Sequence, residues 1–116
     1  MAKRRKPQRR SREKAPTVTY TDPAGNVLEL RERLSAATIA KIGEPPASRA
    51  ASLEDAWARR EEALFERLTV SWVISDLPLE DQKMLIGRYR MATPDERSWV
   101  RRTIAAHVER HIPELS

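Results

Sequence analysis

Eight of the first sixteen residues are Lys or Arg (Lys3, Arg4, Arg5, Lys6, Arg9, Arg10, Arg12 and Lys14), against one acid, Glu13. Such a segment has too little apolar surface to offset the entropy of ordering, so residues 1–16, which also hold Pro7 and Pro16, are expected to be disordered. Any core must come from the hundred or so residues that follow. Of the chain's 22 basic and 17 acidic residues, 14 and 16 lie in that body, so the pI of about 10.1 belongs to the arm. The body alone does not read as a basic nucleic-acid-binding domain.

A body of this length predicts one domain, residues 17–116, with one small core. The absence of Cys excludes disulfides, thiolate nucleophiles and Cys-based zinc sites. No apolar run is long enough for a membrane span, and no apolar stretch follows the basic start as in a signal peptide. A soluble, cytoplasmic protein is expected.

Thr17-Val18-Thr19-Tyr20 and Val27-Leu28-Glu29-Leu30-Arg31 flank Asp22-Pro23-Ala24-Gly25-Asn26, which matches a type I turn closed by a left-handed Gly, and predicts a hairpin over 17–31. Ser35 can cap a short helix ending at Gly43, and Glu44 to Ala51, with Pro45-Pro46, reads as a linker. From Ser52 a longer helix carries Leu53, Trp57, Leu64, Leu68 and Trp72 on one stripe. Its end is ambiguous, because residues 68–74 are apolar on all sides and rich in β-branched residues, so that buried helix and buried strand both fit. Asp76-Leu77-Pro78 breaks the chain, and a helix is expected to restart near Pro78 with Leu85, Ile86 and Tyr89 inward. Thr93, Pro94 and Glu96 form a capping box that opens the last helix, in which Trp99, Val100, Thr103, Ile104, His107, Val108 and His111 share a face until Pro113. The expected fold class is mainly α: a small bundle of three to four helices with an N-terminal hairpin.

The arm is the foremost binding candidate, since Lys3, Arg4, Arg5, Lys6, Arg9, Arg10, Arg12 and Lys14 can contact phosphates; lacking aromatics, it would bind non-specifically and in a salt-dependent way. His107 and His111, four apart, could share a metal, but two ligands fall short of a zinc site, and packing within the apolar face is the plainer reading. Asp76, Glu80 and Asp81 suit a helix start and lack a partner base, so catalysis is not expected. No cofactor or metal is implied.

The order of strand, Asp22-Pro23-Ala24-Gly25-Asn26 turn, strand, short helix, Pro45-Pro46 linker and the helix bearing Trp57, Leu64-Phe65 and Trp72 that runs into Asp76-Leu77-Pro78 resembles the tail assembly chaperones of tailed phages infecting high-GC Gram-positive bacteria. The likeness spans Val18 to Leu115; the basic arm lies outside the family's pattern. It implies a non-enzymatic assembly factor, in the host cytoplasm, that binds the tape measure protein and recruits tail tube subunits. On that reading the protein-binding residues are Trp57, Leu64, Leu68 and Trp72, then Trp99 and Val100, with Trp enriched where interfaces carry their energy. Two other classes stay open: a small nucleic-acid-binding or regulatory protein acting through the arm, and a minor virion structural protein. Self-association is also open.

Overall fold

A computed structural model describes residues 16–44 and 53–116, with the side chains of 53–57 left out of the description. The arm up to Ala15 and the linker from Pro45 to Ser52 therefore lie outside the described residues. Strands β1 (Thr17–Thr21) and β2 (Val27–Arg31) form the expected hairpin, with Thr17 opposite Arg31 and Thr21 opposite Val27. The Asp22 carboxylate organises the turn by accepting from the amides of Ala24 at 2.8 Å and Asn26 at 2.9 Å. Gly25 adopts φ 89°, a conformation a side chain would resist.

Helix α1 (Ala36–Ile42) is capped by Ser35, whose hydroxyl accepts from the Thr38 amide at 3.2 Å, and stops at Gly43. Helix α2 (Leu53–Leu68) runs without a connecting residue into β3 (Thr69–Ile74), followed by β4 (Leu77–Leu79), α3 (Gln82–Arg90), α4 (Pro94–His111) and a 3₁₀ turn at Pro113–Leu115. The capping box at Thr93 is present in both directions: its hydroxyl accepts from the Glu96 amide at 3.1 Å, and the Glu96 carboxylate accepts from the Thr93 amide at 2.9 Å.

The fold is α+β rather than a mainly helical bundle. The four strands form one antiparallel sheet in the order β1-β2-β3-β4. Two segments account for the difference. The ambiguous run over 69–74 is a strand: Thr69, Val70, Val73 and Ile74 are β-branched, and a lone hairpin is marginal until its free edge finds a partner. β3 supplies that partner, setting Trp72 beside Leu28 and Ser71 beside Glu29, with a register shift between Glu29 and Leu30 that leaves Val70 as the extra residue of a bulge. The helix expected near Pro78 is instead the short strand β4, joined to β3 by Ser75 and Asp76 at φ 51° and 66°. Two positive φ values mark a tight primed turn. Pro78 is tolerated because β4 is an edge strand, and α3 starts only after Asp81, whose carboxylate accepts from the Met84 amide at 3.1 Å.

The helices cover one face of the sheet. Leu28 and Leu30 of β2 are fully buried there with Phe65 and Leu68 of α2, Trp72 of β3, Leu85 and Tyr89 of α3, and Val100, Ile104 and Val108 of α4. Phe65 is the junction, stacked on Tyr89 at 4.5 Å between ring centroids and edge-on to Trp72 at 5.7 Å. Burial of each large side chain contributes roughly 1.5–3 kcal/mol. The opposite face carries a polar cluster, in which Glu29 accepts from the hydroxyls of Thr17 at 2.7 Å and Ser71 at 3.1 Å.

Candidate functional site

The expected protein-binding residues divide by burial. Leu68 and Val100 are 0% exposed and Trp72 is 1% exposed, so all three are core residues. Trp72 also lies too far along the chain to share the α2 stripe with Trp57, because α2 ends at Leu68 and Trp72 belongs to β3. Leu64 and Trp99 are partly buried against the same core. The Trp57 side chain and the eight basic residues of the arm, Lys3 to Lys14, lie outside the described residues.

The residues weighed for metal binding or catalysis hold structural positions. Buried His107 is placed by α4 between both strands of the hairpin: the Tyr20 hydroxyl lies 2.7 Å from Nδ1, and Nε2 lies 2.8 Å from the Arg31 carbonyl oxygen. A carbonyl can only accept, so Nε2 carries the proton and Nδ1 accepts from Tyr20. Burial pulls the His107 pKa below its ordinary value, favouring this neutral form. His111 sits against it, ring centroids 4.7 Å apart. Among the described residues no group of three His, Cys, Asp or Glu side chains could hold a metal ion. Asp81 is a helix cap and Asp76 a turn residue.

Glu61 of α2 is a junction between helices. Its carboxylate accepts from the Tyr89 hydroxyl of α3 at 3.1 Å and forms an ion pair with Arg101 of α4. Burial first, then the neighbouring Glu61 charge, pushes the Tyr89 pKa up to about 12. Of the basic residues near α4, Arg97 donates to the Arg90 carbonyl at 2.9 Å and lies 5.5 Å over the Tyr89 ring, so this face is largely occupied internally.

Two surfaces were missed in the sequence. One is apolar: Leu77, Met84 and Met91 are 69%, 58% and 82% exposed, all in the β4–α3 unit. The other is a cleft of about 360 Å³ lined by Arg31, Arg33, Leu34, Ser35, Thr38, Glu66, Arg67, Thr69 and Gln82. Its residues come from β2, the segment before α1, α1 itself, α2, β3 and α3, so no linear motif could announce it. Exposed Met residues at 84 and 91 were readable only as the unassigned side of a predicted helix.

Among the described residues no helix is long and apolar enough to cross a membrane. No family model, curated protein or solved structure matches this chain.

Proposed function

We propose that this chain is a non-enzymatic binding protein that serves as a phage tail assembly chaperone, engaging the tape measure protein and tail tube subunits. The observation that carries the reading is the exposure of three large apolar side chains from consecutive elements: Leu77 on β4, with Met84 and Met91 seven positions apart along α3 and its cap. Seven residues is close to two helical turns, so the two Met side chains project from one side. Unbranched, polarisable Met adapts to varied partners, and an exposed apolar strip beside a sealed core suits an amphipathic helical client. Because Leu68, Trp72 and Val100 are buried, the docking surface assigned here is this strip.

The test is co-expression with a tape measure protein followed by size exclusion. The wild-type chain should co-elute with it, and the Met84→Glu/Met91→Glu variant should lose that association while keeping its melting temperature, both sites being exposed. Absence of co-elution, or binding undiminished in the variant, overturns the reading.

A second reading, nucleic-acid contact through the arm, is favoured by where the arm joins the sheet. The Pro16 carbonyl accepts from the Glu32 amide at 2.9 Å and Thr17 lies opposite Arg31, so β1, which follows the arm in sequence, begins beside Arg31. Anisotropy of labelled DNA and RNA should then show affinity falling by roughly 10³-fold or more between 50 and 200 mM salt, and vanishing on truncation to Thr17.

A further inference from the structure

We infer that the cleft between the end of β2, α1 and the α2–β3 junction is a binding site for a phosphate group. Three of its lining residues are Arg (Arg31, Arg33 and Arg67) against one carboxylate, Glu66. Arg33 is already engaged, donating to the His111 carbonyl at 2.7 Å and pairing with Glu114 at 2.6 Å. Arg31 and Arg67 have no hydrogen-bond or ion-pair partner among the described residues. Two unpaired guanidiniums on different elements offer the forked donors that phosphate oxygens take up. Glu66 opposes an anion at the rim, but its field also reaches Arg90, whose protonated form it favours.

A second observation, independent of charge, points to a ligand. Thr69 lines the same cleft, is only 6% exposed, and its hydroxyl has no hydrogen-bond partner. Buried hydroxyls are ordinarily paired, and an orphan calls for an explanation. The oxygen is itself covered from solvent, so an oxyanion in the cleft supplies the acceptor that Thr69 lacks once rotation about χ1 turns the hydroxyl toward it. The other hydroxyls are arranged to add donors: Ser35 accepts from the Thr38 amide and donates to Thr38 Oγ1 at 2.9 Å, which leaves the Thr38 proton free to point outward. Gln82 donates to the Glu66 carbonyl at 3.1 Å and closes one wall. The set contains no nucleophile and base within reach of each other, so the site holds phosphate without transforming it.

The inference is independent of the chaperone reading. The phosphate can be borne by a polynucleotide or by a free phosphorylated small molecule, and the experiment separates these sources. The full chain, labelled with ¹⁵N, is titrated at constant ionic strength with inorganic phosphate, then with a short oligodeoxynucleotide. Amide shifts should concentrate at Arg31, Ser35, Thr38 and Thr69. Arg31→Gln/Arg67→Gln should weaken phosphate binding by about ten-fold or more, as expected for losing charge-assisted hydrogen bonds. Thr69→Val should weaken it less while leaving the fold intact. The control Arg59→Gln/Lys83→Gln removes equal charge elsewhere and should change little. Tighter binding of the oligonucleotide supports the polymer source, and equal or weaker binding supports the small molecule. Shifts confined to residues outside the cleft, or equal losses in the cleft and control variants, overturn the site.

Discussion

Where α2, α3 and α4 meet, the charged groups are matched: Glu61 takes Tyr89 and Arg101, Glu62 takes Arg90 at 3.0 Å, and Glu96 takes Arg88 at 2.7 Å. At the arm's root, by contrast, Arg31 and Arg67 stand without partners among the described residues and Thr69 keeps an unpaired hydroxyl. Both regions mix Arg with polar side chains, yet one is consumed by holding helices together and the other is left available. Satisfied polar groups contribute little beyond specifying the fold, whereas unsatisfied ones are either costs or contacts awaiting a ligand. The difference separates structural from functional charge in a chain whose composition alone cannot.

The comparison can be tested by perturbing each side. The largest effect is expected at the closed corner: Phe65→Ala removes the ring between Tyr89 and Trp72 and should cost about 3–5 kcal/mol by urea denaturation. A loss below about 1 kcal/mol would mean that this corner is not the tightly filled region described. A smaller effect is expected from acid. His107 is held below its ordinary value of 6.5 by burial, so the folded chain takes up that proton less readily than the unfolded chain. Its contribution is complete above pH 6.5 and is lost as pH falls from there toward the folded pKa. Melting temperature should decline across that window, and His107→Gln, though less stable at neutral pH, should flatten the decline. The smallest effect is expected in the open cleft. Thr69→Val removes a buried unpaired hydroxyl, so stability should hold or rise by about 1 kcal/mol; a large loss would show that the hydroxyl already has a structural partner.

How far the sequence disclosed this arrangement depended on how local the determining chemistry was. The Asp22 to Asn26 turn and the Thr93 capping box were readable because each is completed by residues within four positions. The second hairpin was hidden for two reasons. Ser75-Asp76 is an unusual pair for two positive φ values, and Pro78 argued for a helix start when it sat on an edge strand. With β4 missed, β3 had no visible partner on that side, and its β-branched run could equally have extended α2. The cleft was illegible for a different reason: Arg31, Thr38, Arg67 and Thr69 become neighbours only after the sheet and helices assemble.

The bond between Tyr20 and His107 joins residues 87 positions apart. On a ribosome adding about 5–20 residues per second, the first hairpin, complete at Arg31, precedes His107 by roughly 4 to 15 s. Until α2 and β3 follow, Leu28 and Leu30, fully covered in the finished fold, lack their first partners, and until α4 follows the cover is incomplete. Residues 3–14, with eight Lys or Arg against one acid, leave the tunnel ahead of this hairpin, so nascent copies carry like charge while Leu28 and Leu30 are least covered.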